Sequence, residues 1–279
     1  MNTSLRMMKT ECRRAFGSRL FAAALVAGLA LALAHLVTIA VPYGTGDVWE
    51  VWRGGAKGAY PFSVYNTWMG GENSSAFTTL YYFLLPLLAC VPFADSGYTD
   101  LKSGYAAQMI SRAGRSAYCA AKVLAVALSA GTVVLVPLVV NFLGTLLFVP
   151  LLPPEAAAGT FFVGPSAAFA DVFYGAPLVY CGLFALLTFC VAGIIACLCV
   201  ALAPVMPNRF LVLVTPFLLC TAASFVLAGS GLAGYAPTEV LMPAPRFDVQ
   251  PAVVAVAYGL IAGAEAVAIA RHARTFEAL

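Results

Sequence analysis

The stretch APLVYCGLFALLTFCVAGIIACLCVALAPV, residues 176–205, carries no charged side chain over its 30 residues. An α-helix rises about 1.5 Å per residue, and about 20 apolar residues are enough to cross the ~30 Å hydrocarbon core of a bilayer. The stretch is therefore long enough to span a membrane as a helix. This property sets the class of fold for the rest of the chain.

The composition of the whole chain agrees with a membrane fold. Of its 279 residues, 62% are hydrophobic and only 10% are charged, and the mean hydropathy is +0.92. Soluble domains are roughly 45–50% apolar and about 25% charged, and disordered chains are more polar still. The sequence therefore predicts an all-α polytopic membrane protein, with a single transmembrane domain over residues 1–279.

Six hydrophobic segments are candidates for transmembrane spans, because each provides about 20 or more mainly apolar residues. The segments between them are too short to form a large soluble domain. The predicted spans are 20–41, 76–94, 117–149, 176–205, 210–229 and 252–270.

The distribution of Lys and Arg predicts the orientation. Six spans place both termini on the same side of the membrane, and twelve of the 15 Lys and Arg residues fall on that side. Cytoplasmic loops carry an excess of these residues. We therefore expect a multi-pass protein of the cell membrane with both termini in the cytoplasm and with loops 42–75, 150–175 and 230–251 outside.

Residues 1–19 have the pattern of an amphipathic helix that precedes the first span. Leu5, Met8, Cys12 and Phe16 recur at steps of three and four residues, which is the period of one helical face, and basic residues lie on the other side. Such a helix lies in the membrane interface with its apolar face in the acyl boundary. The sequence predicts an interfacial helix here.

The segment 95–116 is the one sizeable polar stretch on the predicted cytoplasmic side. Tyr98, Leu101, Tyr105 and Met109 fall on one helical face, which predicts a short amphipathic helix. A helix with exposed aromatic and charged residues suits a groove on a soluble partner, and a solvated connector between two spans is the alternative. The charged side chains expected to face the cytosol are Asp100, Lys102, Arg112 and Arg115.

The order of these features resembles the type-2 ABC exporter permeases. The layout extends over the whole chain, while the residue-level match is concentrated in 1–20 and 84–122. The departures from the family pattern are the small, Ala-rich spans and the absence of a large outer domain. The matching motifs are Glu11-Cys12-Arg13-Arg14, Leu85-Pro86-Leu87-Leu88, Asp100-Leu101-Lys102-Ser103-Gly104-Tyr105, and Arg112, Arg115, Tyr118 and Lys122 leading into the third span.

The resemblance implies a transport subunit that forms the translocation pathway together with a second permease chain, identical or related. It also implies a separate ATP-binding cassette subunit, which contacts the inner helix after the second span. Tyr118 and Lys122 are expected to anchor the start of the third span. The residues to which the resemblance assigns coupling are Asp100, Lys102, Gly104, Tyr105, Arg112 and Arg115.

Motifs of enzyme chemistry are missing from the sequence. Lys102-Ser103 is the nearest fragment to a phosphate-binding loop, but it has no glycine cradle. The two histidines, His35 and His272, do not form a metal-ligand motif. We therefore expect no catalytic site, metal or cofactor in this chain, with ATP bound by the partner subunit. The net charge of +3 is small, so nucleic acid is a poor partner candidate.

Polar residues inside predicted spans are functional candidates. Glu265 is the one acid in a predicted span, and structural pairing and a role in transport both stay open for it. His35 and Asn141 are expected to be interhelical hydrogen-bond partners. An ion-coupled secondary transporter is the alternative mechanism, although no convincing inverted repeat is evident, and a non-transporting membrane scaffold also fits the sequence.

Overall fold

The computed structural model describes residues 3–45, 62–156, 159, 161–164 and 167–275. Within these residues the regular structure is helical and no strand occurs, so the predicted all-α class is confirmed for this part of the chain. The predicted outer loop 42–75 falls partly on 46–61, which lie outside the described residues. The helices are α1 (Thr3–Phe16), α2 (Arg19–Thr45), α3 (Val64–Thr67), α4 (Ala76–Cys90), α5 (Ser96–Lys102), α6 (Tyr105–Ala113), α7 (Arg115–Thr145), α8 (Ala170–Gly175), α9 (Pro177–Leu202), α10 (Arg209–Gly229), α11 (Pro237–Val240) and α12 (Pro251–Thr275).

Five of the described helices, α2, α7, α9, α10 and α12, are long and apolar enough to cross a membrane. The chain is thus a multi-pass membrane protein by the length and composition of its helices. The predicted span 76–94 corresponds to α4, which has only 15 residues and rises about 22 Å. Turns over residues 91–95 continue the chain beyond its last helical residue.

Polar caps fix where several of these helices begin. Ser18, Ser75 and Asn208 stand immediately before α2, α4 and α10, and each side chain accepts a hydrogen bond from a backbone N–H of the first turn. These bonds satisfy donors that a helix cannot satisfy itself. The caps explain why the helices begin within a residue of the predicted spans 20–41, 76–94 and 210–229.

Side-chain contacts bring several inter-helix connections together at one end of the bundle, which we call the α1 end. Ser18, between α1 and α2, donates to the carbonyl of Pro92 at 2.9 Å. Tyr98 of α5 donates to the carbonyl of Pro207, between α9 and α10, at 3.0 Å. The end of α4 therefore lies beside the junction of α1 and α2, and the turn from α9 to α10 lies beside α5 at the same end.

The remaining connections meet at the opposite end. Tyr180, near the start of α9, donates to the carbonyl of Pro243 at 2.7 Å. Arg246, before α12, donates to the carbonyl of Asn73, before α4, at 2.5 Å. It follows that α2, α4, α7, α9, α10 and α12 run alternately in opposite directions through the bundle.

Helices α7 and α9 form the centre of the bundle, and small residues let them approach closely. A Cβ atom on Gly131 would lie 2.5 Å from the ring of Phe189, and one on Gly193 would lie 3.1 Å from the Cβ of Ala127. Small residues at helix crossings have this effect in membrane proteins, where packing drives helix association.

Helices α10 and α12 flank this centre and expose large apolar side chains. Phe225 of α10 is 75% exposed and Leu260 of α12 is 70% exposed. In a soluble protein such surfaces are rare. On helices of this length they are suited to contact with lipid.

The prediction that the segment 95–116 contains one amphipathic helix is wrong. It forms two helices, α5 and α6, separated at Gly104, whose φ of 75° is left-handed. Gly114, with a φ of 84°, then separates α6 from α7. Residues other than glycine rarely adopt such angles, so these two positions set the boundaries of α6.

Candidate functional site

A buried ring of charges joins α1, α5 and α7 at the α1 end. The Nζ atom of Lys122 lies 2.5 Å from Glu11 Oε2 and 2.5 Å from Asp100 Oδ2. The Arg14 guanidinium donates to Glu11 Oε1 at 2.7 Å and to the two Asp100 oxygens at 2.7 and 3.2 Å. Acids and bases therefore alternate around the ring, and their formal charges cancel. We call these four residues the ion network.

Three members of the ion network are shielded from solvent, whereas the Arg14 side chain is 34% exposed. Glu11 is 0% exposed, and Asp100 and Lys122 are each 1% exposed. Burial raises the pKa of Asp100, but hydrogen bonds and charges from Arg14 and Lys122 outweigh it and lower this pKa below its ordinary value. Removing one partner of a buried ion pair is strongly destabilising, because the other charge is left without compensation.

Two tyrosines add hydrogen bonds to the ion network, and one of them connects it to α6. The Tyr118 hydroxyl donates to Asp100 Oδ2 at 3.1 Å, and the Tyr105 hydroxyl donates to Glu11 Oε1 at 3.1 Å. The Arg14 guanidinium lies 4.3 Å from the centroid of the Tyr105 ring, within the range of a cation–π interaction. Helix α6 is thus fastened to α1 through Tyr105.

The predicted coupling residues divide between this buried site and the surface. The expectation that Asp100 faces the cytosol is wrong, because its carboxylate is the counter-ion of Arg14 and Lys122 inside the protein. Tyr105 is partly buried and turned toward α1. The other predicted coupling residues are Lys102, Gly104 and Arg112, which are exposed, and Arg115, which is partly buried.

A second buried polar network lies at the opposite end. Asn141 Oδ1 accepts from the backbone N–H of Met69 at 2.7 Å, and its Nδ2 donates to the carbonyl of Ala32 at 2.9 Å. The same Nδ2 lies 3.0 Å from His35 Nδ1, which must therefore accept its second hydrogen. The proton of His35 is then on Nε2 and is donated to Glu72 Oε1 at 3.2 Å. Sequence reasoning singled out His35 and Asn141 but not Glu72.

Glu72 is the acceptor at the centre of this second network. Its Oε2 accepts from the backbone N–H groups of Ser74 and Ser75, each at 2.8 Å, and its Oε1 accepts from the Thr78 hydroxyl. Burial raises the pKa of Glu72, but the hydrogen bonds from His35, Thr78, Ser75 and Ser74 outweigh it and lower this pKa to about 2. Glu72 is therefore a carboxylate that holds the loop before α4 against α2.

The two networks lie about one bilayer thickness apart. Lys122 and Asn141 belong to the same helix, and their 19-residue separation corresponds to about 28 Å. The hydrocarbon core of a bilayer is about 30 Å thick. Beside the second network, α2 also changes to a π-helical turn over Leu36–Ala40, a feature that is frequent at functional sites.

Residues 55–198, about half of the chain, match the family described as protein of unknown function DUF2705. The chain belongs to the DUF2705 family. The DUF2705 match contains Asp100 and Lys122 of the ion network together with Glu72 and Asn141. No curated protein matches the chain, and no solved structure matches it.

The ion network could have been anticipated from one signal in the sequence. Lys122 lies inside the predicted span 117–149, and a charge in such a position requires a partner of opposite sign. Its partners could not be chosen from the sequence alone, because Glu11 is 111 residues away along the DUF2705 chain. The sequence pattern places Glu11 and Arg14 only in the N-terminal motif.

The other polar residue predicted within a span, Glu265, contacts neither network. It is 6% exposed, and its Oε1 has no hydrogen-bond partner among the described residues. Within the same residues, no group of three His, Cys, Asp or Glu side chains is arranged to hold a metal ion.

Proposed function

We propose that this chain is the membrane-spanning permease subunit of an ATP-driven ABC exporter. In this proposal it crosses the cell membrane six times, with both termini in the cytoplasm, and forms a pathway with a second permease chain. The observation that carries the proposal is the pair α5–α6, which is fastened to α1 and α7 through the ion network and presents a polar outer surface. The resemblance of residues 1–20 and 84–122 to the type-2 exporter permeases supports it.

The six-span topology is supported by the alternating direction of the helices and by the spacing of the two networks. In this arrangement α4 is the shortest span, and the turns after it extend its crossing. The Lys and Arg distribution assigns the α1 end to the cytoplasm. An interfacial position for α1 is supported by its exposed apolar residues Leu5 and Phe16, which are 53% and 41% exposed.

The outer surface of α5–α6 is suited to docking a soluble subunit. Lys102, Gln108 and Arg112 are exposed on it, whereas Asp100 faces the interior. Polar and charged groups of this kind give orientation and specificity at interfaces. We call the surface formed by Lys102, Gln108, Ser111 and Arg112 the docking surface.

The ion network supplies a physical route for coupling. Asp100 belongs to α5, and its partners Lys122 and Arg14 belong to α7 and α1. A displacement of α5 would therefore separate buried charges unless α7 and α1 moved with it. Closure of ATP-binding subunits against the docking surface would in this way move the start of a membrane-spanning helix.

Photo-crosslinking in the cell membrane tests the proposal. A photoreactive amino acid at Gln108 should crosslink to an ATP-binding cassette protein, identified by mass spectrometry, whereas the same group at the exposed Leu219 of α10 should not. Arg112→Glu should weaken the Gln108 crosslink in a salt-dependent way, and Arg6→Glu, an exposed control on α1, should not. Crosslinks from Gln108 to lipid only, or to proteins without an ATP-binding cassette, would contradict the proposal.

A further inference from the structure

An apolar groove of about 540 Å³ lies between α7, α9 and α12. Its walls include Val123 and Ala127 of α7, Gly193 of α9 and Ala266 of α12. Leu124, also in the wall, is 40% exposed on the outside of the bundle, so the groove opens toward the lipid-facing surface. This volume is within the range of about 300–1,000 Å³ found for small-molecule sites.

Among the described residues, Glu265 is the one charged residue that lines the groove. It lies on the face of α12 that packs against the bundle, where Val254 and Ala273 are also buried. Glu265 precedes Ala273, near the α1 end of α12, by eight residues, which places it about 12 Å from that end. Its carboxyl group is therefore deep enough to be away from the headgroup layer, and its Oε1 is buried with no hydrogen-bond partner among the described residues.

An unpartnered carboxyl group in an apolar, membrane-embedded wall is unfavourable without a ligand. Burial of an unpaired charge or of an unsatisfied polar group costs free energy, so acids within membranes are usually paired and mark binding sites or pathways. A cationic donor compensates a buried acid better than a neutral donor does, because a charge-assisted hydrogen bond is roughly twice as strong and also cancels the charge, so the partner expected on Glu265 is a cation with an apolar remainder.

We propose that this groove binds a lipophilic amine, with the ammonium group on Glu265 and the hydrocarbon chain along α7 and α9. Phospholipids are less suitable occupants, because each carries a phosphate that would lie beside the acid. The evidence for binding is independent of the docking surface. Only the further step, that such amines are the cargo class of the transporter, rests on the proposed function.

Photolabelling of the purified chain, in nanodiscs of phosphatidylcholine and without any ATPase, tests the site. The probes are hexadecylamine and hexadecanol, each with a diazirine in the alkyl chain, so that they differ only in the headgroup. The amine should label peptides from α7, α9 and α12 that line the groove, and excess hexadecylamine should compete while hexadecanol should not. The alcohol should label these peptides weakly.

Variants distinguish the site from general lipid contact. Glu265→Gln should lower amine labelling about tenfold, equivalent to about 1.4 kcal/mol, whereas Glu155→Gln, at an exposed loop position, should not change it. Ala266→Phe keeps the acid but fills the groove, and should also lower amine labelling. Each variant is first compared with the wild type by its melting temperature.

Three results would overturn the inference. The first is equal amine labelling of the groove in Glu265→Gln and the wild type. The second is equal labelling of the wild type by the amine and the alcohol, which would mean that the groove binds alkyl chains without recognising the amine. The third is an absence of labelling together with disulfide crosslinks between the exposed Cys190 residues of two chains, which would identify a second copy as the occupant. None of these results depends on an ATPase, so none of them tests the proposed function, which the crosslinking experiment at the docking surface tests separately.

Discussion

Lys122→Met should destabilise the protein strongly, because this substitution removes one of the two cations of the ion network. Glu11 and Asp100 would remain buried, at 0% and 1% exposed, with Arg14 as their single counter-ion. Breaking a buried ion pair in this way costs about 3–5 kcal/mol. At about 2–3 °C per kcal/mol, toward the lower end of the range for large domains, the melting temperature of this 279-residue chain should fall by roughly 10 °C.

A double-mutant cycle separates the charge effect from the loss of packing. Glu11→Gln combined with Lys122→Met leaves the Arg14–Asp100 pair, in which the charges again cancel. The double variant should therefore be more stable than the sum of the two single effects predicts, with a coupling of about 1–3 kcal/mol.

The melting temperature of the detergent-solubilised chain, followed by size-exclusion chromatography after heating, measures all three variants. Lys9→Met on the exposed side of α1 is the matched control, and it should change the unfolding free energy by less than about 0.5 kcal/mol. A Lys122→Met shift no larger than that of Lys9→Met, or strictly additive effects in the cycle, would refute the reasoning.

Two further predictions concern the second network and the boundary of α6. The folded pKa of Glu72 is about 2, below the ordinary 4.5, so its contribution to stability is full above about pH 5 and is lost as pH falls from 4.5 toward 2. Glu72→Gln should accordingly have a lower melting temperature than the wild type at pH 7, and this difference should be smaller at pH 3. An equal difference in melting temperature at both pH values would contradict this prediction. Gly104→Ala should lower the unfolding free energy by about 1–2 kcal/mol, because the φ of 75° is left-handed. A Cβ at this position would contact no other atom, so the cost comes from the backbone conformation and not from a clash. Gly259→Ala on the exposed face of α12 is the control in the same melting assay, and equal melting of the two variants would show that Gly104 is not strained by a side chain.

The class of fold was predictable because membrane-spanning helices depend on local composition. The predicted span 176–205 and the observed helix Pro177–Leu202 agree within a few residues, since a charge-free stretch and Pro177 at the first helical turn mark its limits. The predicted span 76–94 was less accurate. Its apolar pattern continues to residue 94, although the helix ends at Cys90 and turns follow it.

The candidate site was less predictable because it depends on contacts between distant segments. Hydrophobic periodicity placed Tyr98, Leu101 and Tyr105 on one helical face, but it did not register the turn signal at Ser103-Gly104 that divides the helix. The burial of Asp100 follows from charges on α1 and α7, not from its own neighbours. A sequence pattern can identify an ionisable residue that needs a partner, but only the fold selects the partner.

The long-range pairing in the ion network has a consequence for synthesis of the chain. Glu11 emerges from the ribosome early, but Lys122, 111 residues later, is the residue that completes its neutralisation. Until α7 is made, the N-terminal helix must keep its acid hydrated or paired with Arg14 alone. Nascent chains that stop before residue 122 should therefore leave α1 accessible to protease at the membrane surface. Chains that extend through α7 should protect α1, which makes docking of α1 a late step of biogenesis although α1 is translated before α7.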